Sequence, residues 1–237
     1  MKSEKLTFRE GFTDGIPIGL GYLSVSFSFG IAAVSQGLPW FAATLISMTN
    51  LTSAGQVAGL SIITAAGTLL EMALAQLIIN MRYALMSLSL SQKLDAGFTT
   101  PHRFLAAFGI TDEIFAVSSG KPKDVTPQYM YGLILLLFIC WSTGTFLGGI
   151  AGSILPETLC SALGIAIYGM FIAIFIPPAR KSIGVFVTVV ISAGMSCCFE
   201  FIPIFDKISS GFSIIFCTLA AAAAGAVFFP RKEADEE

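Results

Sequence analysis

Apolar residues run along this chain in long stretches, and the interruptions between them are short. The pattern predicts helical spans at about 15–36, 40–63, 64–91, 103–120, 128–152, 157–177, 182–203 and 209–229. Several reach the roughly 20 apolar residues needed to cross a hydrocarbon core of ~30 Å. The runs are continuous rather than alternating, which argues against a transmembrane β-barrel. Pro17 is expected to open the first span. Pro156, Pro177-Pro178, Pro203 and Pro230 mark later junctions. The fold class expected is therefore all-α: a polytopic membrane helix bundle of about six to eight spans with one or two broken or re-entrant helices. The expected layout is a tail over 1–14, one transmembrane domain over 15–229 and an acidic tail over 230–237. Within that domain a polar half (15–120) precedes an apolar half (128–229).

Composition strengthens this picture. Of 237 residues, 55% are hydrophobic and only 12% are charged, about half the charge of an ordinary soluble domain. No basic stripe points to nucleic acid. Cys140, Cys160, Cys197, Cys198 and Cys217 all fall in apolar runs without metal-site spacing, so they read as packing or lipid-facing residues. The run 15–36 exceeds the usual core of a signal peptide and reads as a retained span.

Lys and Arg set the expected orientation. They gather in the N-terminal tail, at Lys121 and Lys123, at Arg180-Lys181 and at Arg231-Lys232, while the junctions at 37–39 and 153–157 carry none. Both termini are then expected in the cytoplasm of a multi-pass cell-membrane protein. Segments 40–63 and 103–120 either both cross or both re-enter, and the parity of spans is the same. A repeat is also suggested, because "SFSFGIAAVSQGLPWFAATLISM" and "TGTFLGGIAGSILPETLCSALGI" align at their Leu-Pro turns.

Polar groups inside the apolar runs need a reason to be there, since a charge at the bilayer centre costs about 2.5–3.5 kcal/mol on insertion scales. The stretch "TNLTSAGQ" places Asn50, Thr52, Ser53 and Gln56 in the middle of an oily segment. Non-helical backbone at such depth is tolerated where it lines a cavity, and broken helices of this kind hold substrates in transporters. Packing of polar side chains between helices is the alternative. Glu71 has no opposite charge nearby in sequence and calls for either a functional role or a buried partner. Arg82 lies eleven residues further, about 16 Å along a helix, too far to pair with it, and snorkelling to the membrane interface is the alternative to a role in a site. Asn80 falls on the opposite helix face from Glu71. Asp112 and Glu113 are adjacent carboxylates, suited to proton coupling or to holding a cation, unless both are solvated at the interface. His102 reads as a solvated surface residue.

Five pieces, "FREGFTDGIPIGLGY", "FSFG", "TSAGQ", "NMRY" and "TDE", occur in order over residues 8–152. Together they resemble the AzlC family, also called the YgaZ or branched-chain amino acid permease family. The resemblance continues more weakly through the C-terminal spans. A "GASQ"-like signature corresponds to Ser53-Ala54-Gly55-Gln56, "NLRH" to Asn80-Met81-Arg82-Tyr83, and "TDE" to Thr111-Asp112-Glu113. Glu71 belongs to no motif of the family. The resemblance implies the large subunit of a two-component exporter of valine, leucine and isoleucine, working with a small AzlD-type membrane subunit and driven by protons.

The resulting expectation is a secondary transporter, not an enzyme, with no cofactor. Arg82, or the half-helix end at 53–56, would receive the substrate carboxylate. Asp112 or Glu113 would face the ammonium group or take the coupling proton, a role also open to Glu71. Asn50, Thr52, Ser53, Gln56 and Asn80 would complete the polar shell, with Phe27 and Phe29 beside the apolar side chain. An intramembrane enzyme lacks the paired groups it would need, such as a second His for a zinc cluster. A passive channel or a non-transporting scaffold is the remaining alternative.

Overall fold

The computed structural model describes residues 5–156, 158–159, 166–205 and 208–229. Ten helices occur among them: α1 (Phe8–Ser35), α2 (Trp40–Thr49), α3 (Ser53–Thr64), α4 (Leu69–Ser91), α5 (Thr100–Phe108), α6 (Asp112–Ser119), α7 (Pro127–Ile154), α8 (Ala166–Lys181), α9 (Ile183–Phe201) and α10 (Ser210–Phe228). One isolated bridge pairs Leu94 with Val125. Five helices, α1, α4, α7, α9 and α10, are long and apolar enough to cross a membrane. Leu20, Leu69, Leu77, Leu85 and Phe104 are 62–89% exposed, an apolar surface suited to lipid rather than water.

The two expected interruptions are present. Segment 40–63 breaks at 50–52, between α2 and α3, and segment 103–120 breaks at 109–111, between α5 and α6. Two proline expectations fail. α1 begins at Phe8, not near residue 15, because Thr7 and Glu10 form a capping box: Thr7 N–H donates to Glu10 Oε2 at 2.6 Å and Glu10 N–H to Thr7 Oγ1 at 3.3 Å. Pro17 then lies inside the helix. Pro177 and Pro178 likewise lie within α8, which runs on to Lys181. Proline keeps a helical φ, so the ladder loses bonds without the chain leaving the helix. Membrane helices accept this more readily than soluble ones.

The described residues fall into two compact units, one within Met1–Gln56 and Asn80–Ile167, the other within Val57–Ile79 and Tyr168–Glu237, so the division falls inside α3, inside α4 and near the start of α8. In the first unit α1 packs along α7. Gly11 lies against Tyr129, Gly19 against Cys140 and Gly30 against Thr145, in increasing order on both helices, so the two run parallel. Backbones touch here: a Cβ on Gly132 would overlap the Phe8 carbonyl, and one on Gly148 the Phe27 carbonyl. This is the close approach that small residues permit between membrane helices. Gly21, on the other face of α1, meets nothing within 4 Å.

Both helices are 28 residues long, each is capped by a threonine (Thr7 and Thr126), and each is followed by a Leu-Pro turn (Leu38-Pro39 and Leu155-Pro156). Thr7 and Thr126 are 119 residues apart, as are Gly30 and Gly149. The first helices of the suspected repeat thus match in length and cap in a register of 119 residues, two residues off the 117 that separates the Leu-Pro turns, while much of the second half of its later copy, 160–165, lies outside the described residues.

In the second unit Ile62, Ala75 and Ile215 form a small apolar core with Met72, Leu74 and Phe212. α9 and α10 pack together where Thr188 meets Gly225.

Candidate functional site

Tyr22 and Trp141 stand at the midpoints of α1 and α7, about 20 Å from either end of each helix. Their rings pack edge-on with centroids 5.0 Å apart. Around this central level the first unit gathers both helix breaks.

The break at 50–52 is held by two sets of bonds. Trp141 Nε1 donates to Gln56 Oε1 at 2.9 Å, Gln56 Nε2 donates to Ser47 Oγ at 2.7 Å, and Ser47 Oγ lies 2.7 Å from Thr145 Oγ1. All four side chains are buried, and the Gln56 amide is engaged at both ends. Gln56 therefore ties α3 to α2 and α7. On the other side, Thr52 Oγ1 donates to Asn80 Oδ1 at 3.0 Å, accepts from Tyr83 Oη at 3.2 Å, and accepts from the Gly55 N–H at 3.4 Å, capping the first turn of α3.

The relay continues into charge. Arg82 Nη2 donates to Tyr83 Oη at 3.1 Å, with the guanidinium 4.9 Å from the Tyr83 ring centroid. Arg82 Nη1 lies 2.6 Å from Asp112 Oδ2. The side chains of this pair keep 39% and 33% of their surface uncovered by the rest of the protein. Asp112 Oδ1 is buried without a hydrogen-bond partner. Glu113, the next residue, accepts from the Tyr22 hydroxyl at 2.6 Å, and that hydroxyl lies 2.7 Å from Thr111 Oγ1. Thr111 in turn caps α6 by accepting from the Ile114 N–H at 3.3 Å. Both carboxylates thus occupy the first turn of a half-helix, where unpaired N–H groups and the helix dipole favour negative charge.

Beside this relay lies a cavity of about 190 Å³ whose wall includes Asn50, Thr52, Asn80 and Tyr83 on the polar side and Phe108 and Ile110 on the apolar side. The expected candidates Asn50, Thr52, Asn80, Arg82, Asp112 and Glu113 therefore cluster at this level of the first unit, with Ser53 half-buried at the start of α3. Phe29 is buried, and the Phe27 backbone packs against Gly148 in the α1–α7 contact. The cavity's aromatic wall is Phe108 instead.

Glu71 is placed differently. In the second unit, its Oε1 accepts from the Ser209 hydroxyl at 2.5 Å and the Gly211 N–H at 2.8 Å. The carboxylate is 2% exposed and caps the N-terminus of α10. The buried partner its position demanded is the end of a helix. His102 is also not simply solvated: Nδ1 lies 2.5 Å from Tyr131 Oη, and its ring packs edge-on to Phe98.

Sequence reasoning did not select Tyr22, Ser47, Tyr83, Trp141 or Thr145. Tyr22 and Tyr83 lie within the motifs that carried the family resemblance. Trp141 and Thr145 flank the short polar stretch Ser142-Thr143-Gly144 within an otherwise apolar span, a local signal that could have found them.

Comparison with known proteins fits this arrangement. The AzlC protein family matches residues 17–155, which contain the relay and the ion pair. An uncharacterized membrane protein of Archaeoglobus fulgidus is 33% identical over 177 residues, covering 74% of this chain and 77% of that one. Inner membrane protein YgaZ of Escherichia coli is 26% identical over 189 residues, 77% of each chain. The branched-chain amino acid transport protein AzlC of Bacillus subtilis is 25% identical over 177 residues, 73% of this chain and 68% of that protein. No solved structure matches the chain. The family match spans more than half of the 237 residues, and the chain belongs to the AzlC family of membrane proteins.

Proposed function

We propose that this protein is a secondary transporter that exports branched-chain or similarly small apolar amino acids across the cytoplasmic membrane. Export is coupled to protons and assisted by a small AzlD-type subunit, and both termini lie in the cytoplasm. The observation that carries this reading is the Arg82–Asp112 pair, 2.6 Å apart and only partly covered by protein, close to a cavity between two helix breaks. A zwitterion offers one anion and one cation. Entering the pair, its carboxylate replaces Asp112 as the partner of Arg82, and its ammonium meets the Asp112 carboxylate, including the orphaned Oδ1. Charge stays balanced, so the substrate enters without leaving an unpaired ion in a low-dielectric site. Leu51, Ala107, Phe108 and Ile110 give its side chain an apolar wall. Glu113, hydrogen-bonded to Tyr22 rather than to Arg82, is the group left to take the coupling proton.

The test is efflux of labelled valine, leucine or isoleucine from cells fed branched-chain dipeptides, with and without co-expression of an AzlD-type subunit. Asp112→Asn and Arg82→Ala are expected to abolish efflux while the protein still reaches the membrane. Wild-type rates in both variants would end this assignment. Net efflux that persists after the proton gradient is collapsed would favour a passive channel.

A further inference from the structure

A second cavity of about 360 Å³ lies in the first unit, with Ser87, Ser91, Phe98, Arg103, Ala107 and Ile110 in its wall. Ala107 and Ile110 also line the 190 Å³ cavity beside the relay. α5 is thus a shared wall. Arg103 and Ala107 are four residues apart on one face of α5, about 6 Å along its axis, and Ile110 follows in the break just past the end of α5, so the wall leads from the cation towards the central level.

The outer end of this cavity is at the N-terminal face of the unit. Its Leu94 neighbours Asp95, whose carboxylate pairs with Lys5 at 3.1 Å and whose N–H donates to the Val125 carbonyl at 2.9 Å. The chemistry of the wall is uneven. Arg103 and two serines supply polarity, and the remainder is apolar, including Leu90 and Met130. Among the described residues Arg103 makes no ion pair. Its Nε donates to the Phe98 carbonyl at 3.4 Å, which orients the guanidinium. A cation at one end of an apolar chamber suits a small apolar molecule with one anionic end.

We propose that this cavity is an entry vestibule, in which Arg103 binds the amino acid's carboxylate and Ile110 separates it from the central cavity. This rests on the transport reading above. The substrate would meet Arg103 first, with its side chain against Leu90, Phe98 and Met130. It would then pass along α5 to exchange Arg103 for Arg82. Arg103 is a binding residue of the approach, and Ala107 sets the width of the passage.

The test uses the full-length protein in proteoliposomes, with its five cysteines replaced by alanine and Ser91→Cys or Ala107→Cys added singly. Both thiols are expected to react with a membrane-impermeant maleimide from the N-terminal face, and millimolar leucine is expected to slow labelling at both positions several-fold. In the otherwise native chain, Arg103→Ala should raise KM for leucine about tenfold at unchanged Vmax, and Arg103→Lys should recover part of it. Wild-type leucine flux with labelling indifferent to leucine, or with an unchanged KM in Arg103→Ala, would overturn the vestibule and leave the transport reading intact. Absence of leucine flux in the wild-type protein would overturn the transport reading and the vestibule with it.

Discussion

The Tyr22 hydroxyl lies 2.6 Å from Glu113 Oε2 while the ring of the same residue stands edge-on to Trp141. One side chain thus links the middle of α1 to the start of α6 and to the middle of α7. Tyr22→Phe keeps the ring contact and removes the bond to the carboxylate. Hydrogen bonds to charged groups contribute about 1.5–3 kcal/mol, so the variant should unfold at lower temperature in detergent by an amount of that order. Tyr22→Ala also empties a buried aromatic site and should cost about 3–5 kcal/mol. Equal stability of Tyr22→Phe and wild type would mean that the bond contributes nothing.

The α1–α7 contact makes a sharper comparison. A Cβ on Gly30 would overlap the Thr145 carbonyl and come within 2.6 Å of the Gly149 nitrogen, both backbone atoms that cannot swing aside. Gly30→Ala and Gly148→Ala are therefore expected to destabilise by about 1–3 kcal/mol, the usual range for overpacking. Gly21→Ala on the same helix meets nothing within 4 Å. It should be neutral or stabilising by up to about 1 kcal/mol, since alanine is the better helix former. Thermal unfolding of the three variants side by side checks the prediction. A destabilised Gly21→Ala together with an unaffected Gly30→Ala would reverse the helix face assigned to the contact.

Gln56 and Trp141 should be energetically coupled. Gln56→Leu leaves Trp141 Nε1 and the Ser47 hydroxyl buried without their amide partner, and Trp141→Phe leaves Gln56 Oε1 without a donor. Each single change is expected to cost about 1–3 kcal/mol. The double variant should cost less than the sum, with a coupling energy of about 0.5–3 kcal/mol. Additive losses in the cycle would show that the bond is not what connects α3 to α7.

How much of this could be read from the sequence differs from residue to residue. Both helix breaks were legible because polar and small residues at 49–56 and 109–113 interrupt runs that otherwise need none. Arg82 and Asp112 were legible as charges out of place, because the cost of burying a charge is a local property of the chain. Their pairing was not, since they come from helices thirty residues apart and only the fold supplies the distance. Helix ends went wrong at Pro17 and at Pro177-Pro178, where proline reads as a stop yet sits inside a helix. Trp141 and Thr145 flank the polar stretch Ser142-Thr143-Gly144, which marks the place but not the role: what makes an indole N–H or a hydroxyl matter is the partner across the interface.

Glu71 tests the difference between a cap and a carrier. Its Oε1 accepts from Ser209 and from Gly211 N–H at the start of α10, and a carboxylate there also meets the positive end of the helix dipole. Glu71→Ala removes the acceptor and should destabilise by about 1–2 kcal/mol, the range for loss of an N-cap. Glu71→Gln keeps an acceptor oxygen in place and loses only the charge, worth about 0.3–1 kcal/mol at a helix terminus. A cap therefore predicts that Glu71→Gln stays close to wild type in both thermal stability and amino acid efflux. A proton carrier predicts the opposite split, because an amide cannot exchange a proton with the pathway: normal stability with efflux lost. Measuring both properties in the same preparation of Glu71→Gln separates the two roles, and the double acceptance at the end of α10 leads us to expect the first.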